Sequence, residues 1–125
     1  MIVMNRYPQL SNTERARILC RLFPAFIPVV LEFIAGRTDA LLENPACLKS
    51  QHDERLFSFD RLLTLAKEVK SCMHQGRRKD PGGVFISLFD GYRACYTAQL
   101  LTRYAEENQQ AHEHFAIAVR LLFIQ

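Results

Sequence analysis

The sequence predicts an all-α protein, a single-domain bundle of four to five helices with one helix kinked at Pro24/Pro28. Three observations carry this. Apolar residues from Ser58 onward fall at Phe59, Leu62, Leu63, Ala66, Val69 and Met73, steps of three and four that place one stripe on one helix face. Similar stripes recur along most of the chain. Capping sequences precede them, and Gly or Pro follows them.

Residues 1–10 read as a loosely ordered lead-in held only through Tyr7 and Leu10. The domain then occupies 11–125. Ser11 to Glu14 reads S-N-T-E, a capping box in which Ser accepts from the Glu N–H while the Glu carboxylate reaches back. The first helix starts there, with Ile18, Leu19, Leu22 and Phe23 facing inward and Arg15, Arg17 and Arg21 outward. Pro24 and Pro28 each remove a backbone donor, so the chain must kink or restart between Phe23 and Pro28. A second helical piece runs to Ala35, and Gly36 is its C-terminal cap. Val29, Val30, Leu31, Phe33 and Ile34 make it apolar nearly all round, as befits a helix in mid-bundle or under a partner.

Thr38 or Asp39 caps a short helix through Leu41 and Leu42 that stops near Asn44-Pro45. Ser50 to Asp53 repeats the capping pattern and opens the long striped helix, which Gly76 ends. Residues 76–83, G-R-R-K-D-P-G-G, form a flexible basic loop, because adjacent cations resist burial and Asp80-Pro81-Gly82 is turn chemistry. Residues 84–89, V-F-I-S-L-F, are β-prone and run into Asp90-Gly91, so a hairpin of 84–97 is an alternative. Helix is preferred. Phe85, Leu88, Phe89, Tyr92, Cys95, Tyr96, Leu100 and Tyr104 keep helical spacing, with Gly91 inside allowing close approach. Phe115, Ala116, Val119 and Leu122 give a last stripe, and the apolar end R-L-L-F-I-Q should dock on the core or a partner.

Composition bounds function loosely. With 125 residues, the chain can bury a core without disulfide or metal. Its 16 basic and 13 acidic residues leave +3, too little by itself to imply a polyanionic partner. Cys20, Cys47, Cys72 and Cys95 include no Cys-x-x-Cys pair and read as buried free thiols in a reducing cytoplasm. The N-terminus does not read as a signal peptide. The oiliest stretch, Leu22 to Gly36, is too short and too broken for a membrane span.

No catalytic motif is present, and no cofactor is implied. Cys72-x-His74 and His112-Glu113-His114 place their side chains about 200° apart on a helix, wrong for one shared metal. The five glycines form neither a phosphate loop nor a dinucleotide fingerprint. Glu32, alone in an apolar run, and Arg93, in an aromatic-rich one, are candidates for a buried polar pair.

The leading expectation is a small cytoplasmic bacterial protein, non-enzymatic, that forms a homodimer or binds another protein and no membrane. An alternative is a nucleic-acid-associated accessory protein contacting phosphates through Arg15, Arg17, Arg21, Arg77, Arg78 and Lys79. A second alternative is a small-ligand binder around Asp90, Tyr92, Arg93 and Tyr96.

Overall fold

A computed structural model of the chain describes residues 9–46, 58–76 and 80–123. Within them it is all helix, with no strand, so the 84–97 hairpin does not form. Six helices are bounded there, more than the four or five expected: α1 (Asn12–Leu22), α2 (Ile27–Glu43), α3 (Phe59–Gly76), α4 (Pro81–Leu88), α5 (Arg93–Glu107) and α6 (Glu113–Phe123).

Ser11 starts α1 as its residue type dictates. Its Oγ accepts from the Glu14 N–H at 3.1 Å and donates to the Glu14 carboxylate at 3.2 Å. The carboxylate thus takes the Ser11 hydroxyl rather than a backbone N–H. The inward face differs from expectation at two places. Arg15 is buried, only 8% exposed, because it stands four residues before Leu19 and beside Ala16, both fully buried. A long aliphatic stem makes that burial tolerable. Leu22, expected inside, is 61% exposed.

The prolines separate two helices rather than kinking one. Pro24 lies in the turn 24–26, and Pro28 is the second residue of α2, where its missing N–H needs no partner. The helix then runs straight through Gly36, so the expected cap and the separate helix at 38–42 do not occur. The reason is the stripe: Ile27, Val30, Leu31, Ile34, Thr38 and Leu41 are all buried, one continuous face across the glycine. Asn44 ends it.

α3 is entered at Ser58, whose Oγ accepts from the Arg61 N–H at 3.3 Å. It buries Leu62, Leu65, Ala66, Val69 and Met73. The expected start at Ser50 to Asp53, and the loop cations at 77–79, lie outside the described residues.

The β-prone run 84–89 is the hub. Asp80 caps α4, accepting from the Gly83 N–H at 2.9 Å, and Pro81 takes the first turn. Val84, Phe85 and Leu88 of α4, and Phe89 just beyond it, are buried. Contacts with α1, α2, α3 and α5 surround the helix. α4 and α5 are two helices where the sequence suggested one, because Gly91 adopts φ +63° between them. Thr97 bridges the break, sharing its hydroxyl hydrogen between the carbonyls of Leu88 (2.9 Å) and Arg93 (3.0 Å). A carbonyl at the end of α4 is thereby satisfied. Finally α6 lies against α5 and α1, burying Phe115, Ala116, Val119 and Leu122. Of the apolar end, Phe123 docks, its ring 4.8 Å from that of Phe89, while Leu121 is exposed and residues 124–125 lie outside the described residues.

Candidate functional site

The surface around the α1–α2 turn stands out, and aromatic packing builds it. Phe23 and Phe26, on either side of Pro24, both reach the buried Phe115 of α6, at 5.3 and 5.4 Å between ring centroids. His112 completes the knot. Its ring lies 4.6 Å from Phe26 and stacks at 6.3 Å on Tyr104. These contacts pin the end of α1, the start of α2 and the start of α6 together.

Those same elements carry four of the five exposed large hydrophobics: Leu22 at 61%, Val29 at 47%, Ile117 at 44% and Leu121 at 38%, the fifth being Tyr92. Ile117 and Leu121 are one helical turn apart and share a face of α6. Arg17, Arg21, Glu32 and Glu113 are also exposed on these three helices. The all-round apolar character expected of α2 is thus only partly internal, since Val29 faces outward.

The other sequence-derived candidates disperse. Glu32 is exposed on α2 and Arg93 is half-buried at the start of α5. The buried pair expected of them is not formed, because the continuous stripe turns Glu32 outward. Of Asp90, Tyr92, Arg93 and Tyr96, the first two are exposed, Arg93 is half-buried and Tyr96 is buried. Tyr96 is buried, its hydroxyl 3.0 Å from that of Thr38, and burial raises its pKa. Tyr92 is exposed and donates to the Glu68 carboxylate, a bond that raises its pKa. Of the phosphate-contact set, Arg17 and Arg21 are exposed, Arg15 is buried, and Arg77, Arg78 and Lys79 lie outside the described residues.

The thiols are less buried than expected. Cys20 and Cys72 are half-buried and free, and Cys95 is exposed on α5. Burial, helped by the nearby Asp80 carboxylate, raises the Cys20 pKa to about 11, which leaves it a poor nucleophile near neutrality. Cys47 lies outside the described residues. Among the described residues no group of three His, Cys, Asp or Glu could hold a metal. None of the helices there is long and apolar enough to cross a membrane.

Sequence reasoning missed two cross-helix ion pairs and a cleft. Arg37 of α2 grips the Glu107 carboxylate of α5 at 2.6 and 2.9 Å while lying 5.0 Å over the Phe33 ring. Lys70 of α3 meets Asp39 of α2 at 2.7 Å. The only available signal was helical spacing, which says nothing of which faces meet. A cleft of about 360 Å³ opens beside that second pair, between α2 and α3. Comparison with models of known families, with curated proteins and with solved structures finds no match to this chain.

Proposed function

We propose that this chain is a non-enzymatic interaction module of the cytoplasm that pairs with a second copy of itself through the surface at the α1–α2 turn. The observation that carries the reading is the exposure of Leu22, Val29, Ile117 and Leu121 on three elements joined by the Phe23–Phe26–Phe115 knot. Apolar side chains held on a rigid base gain when a partner removes them from water.

A second copy is the partner proposed because the same helices expose both cations and anions. Arg17 and Arg21 lie on one helix, and Glu32 and Glu113 lie on two others. A two-fold interface sets one patch against its own copy, and pairing of these cations with these anions across it would favour a second copy over an unrelated partner. The free thiols Cys20 and Cys72 suit a reducing compartment.

Sedimentation equilibrium at tens of micromolar, where modest interfaces assemble, tests the reading. The native chain should sediment as a dimer, and Leu22→Asp and Ile117→Asp should each give a folded monomer. A native chain that stays monomeric would overturn it, and so would variants that dimerise as well as the parent.

A further inference from the structure

We propose that the cleft between α2 and α3 binds a small phosphomonoester. Lys70, Ser71 and His74 follow Lys67 on α3 at three, four and seven residues, so all four lie on one face. That face forms one wall of the cleft, and Asp39 stands on the other. Small side chains at Ala35 on α2 leave the space open. The volume, about 360 Å³, lies at the small end of ligand pockets, suited to a metabolite-sized molecule rather than a polymer.

The charges decide the ligand class. Asp39 holds Lys70 at 2.7 Å, and that bond raises the Lys70 pKa. Lys67 is exposed and has no anionic partner among the described residues. Asp39 pairs with Lys70, the Glu43 carboxylate also acts on Lys70, and Lys67 is left without an ion pair among the described residues. A dianionic phosphate answers both lysines. It accepts from the Lys67 and Lys70 ammonium groups, and the Ser71 hydroxyl and His74 ring sit beside them as further donors. In doing so it displaces Asp39 from Lys70. The carboxylate is thus a built-in competitor, and its removal should strengthen binding. The apolar surround, from Ala35 and the buried Met73, suits the carbon portion of a phosphomonoester better than bare inorganic phosphate.

This site is separate from the apolar surface proposed for pairing, so each can fail alone. The test is a titration of amide NMR shifts at low salt with glycerol 3-phosphate, with inorganic phosphate and sulfate in parallel. Saturable shifts confined to residues 35–39 and 67–74 are expected, tightest for glycerol 3-phosphate. Lys67→Ala should weaken binding roughly tenfold, the size of one lost charged hydrogen bond, while Asp39→Asn tightens it. Both positions are on the surface, and circular dichroism checks that each variant keeps its helix. Shifts that rise linearly without saturation, equal shifts at arginines elsewhere, or weaker binding in Asp39→Asn would each overturn the proposal.

Discussion

Gly36 and Gly91 exchange the roles that their sequence context suggests. Gly36 follows an apolar run and reads as a cap, yet it is an interior residue of α2 with nothing within 4 Å of where a Cβ would stand. Apolar period, carried on by Thr38 and Leu41, outweighs the stop signal. Gly36→Ala should therefore raise stability by about 0.5–1 kcal/mol, the helix-propensity difference alone. Gly91 reads as a tolerated interior glycine, yet at φ +63° it is the residue that ends one helix and aims the next. A Cβ there also meets nothing, so the cost of Gly91→Ala is purely backbone, about 1–2 kcal/mol of lost stability. Urea melts of the two variants should move in opposite directions. Movement in the same direction would refute the assigned conformations. Glu32 faces solvent on α2. Being exposed, its replacement by Ala should change stability by no more than about 0.5 kcal/mol, where a buried pair would lose several times that.

The short helix α4 shows what a local reading can and cannot supply. Val84 to Phe89 has strand-like composition, and the following Asp-Gly suggests a hairpin. Asp80-Pro81 reads as turn chemistry. The same dipeptide is also a good helix start, Asp accepting an orphan N–H and Pro fixing the first turn. Tertiary contacts choose between these, because four helices enclose residues 84–89 and leave no strand partner. The cap makes a pairwise prediction. A Cβ on Gly83 would come within 2.2 Å of the Asp80 carboxylate. Gly83→Ala must push the cap aside, so any gain in helix propensity is offset by a lost cap worth about 1 kcal/mol. In an Asp80→Ala background the clash is gone and Gly83→Ala should stabilise. A double-mutant cycle by denaturant titration reads the difference. Equal effects of Gly83→Ala in both backgrounds would mean that the Asp80 side chain does not hold this position.

Across the whole molecule, the sequence made the helical class and most of the buried stripe legible, because each helix prints its inward face as a period. It left the candidate sites illegible. Asp39 and Lys70 are 31 positions apart, and Arg37 and Glu107 are 70 apart. Only the packing of α2 against α3 and α5 brings those charges together. Packing also sets how stability depends on pH. Tyr96 and Tyr104 are buried, and burial raises the pKa of each. Cys20 is raised to about 11 from an ordinary 9.0. The Asp39 partner raises Lys70. In every case the folded chain holds its proton more tightly than the unfolded chain, so all four shifts act in the same direction. Their contribution is intact below the unfolded pKa values and is lost as pH rises past them. The urea midpoint should thus fall steadily above about pH 9, the unfolded thiol and phenol range. In a Tyr7→Phe, Tyr92→Phe background, which leaves Tyr96 and Tyr104, phenol absorbance at 295 nm should rise together with unfolding rather than before it. Tyr96→Phe should shallow the alkaline slope while lowering stability at neutral pH, because the Thr38 hydroxyl then loses the Tyr96 hydroxyl as a hydrogen-bond partner in the core. A midpoint flat to pH 11, or tyrosines that ionise fully while the helices persist, would contradict the burial on which this packing rests.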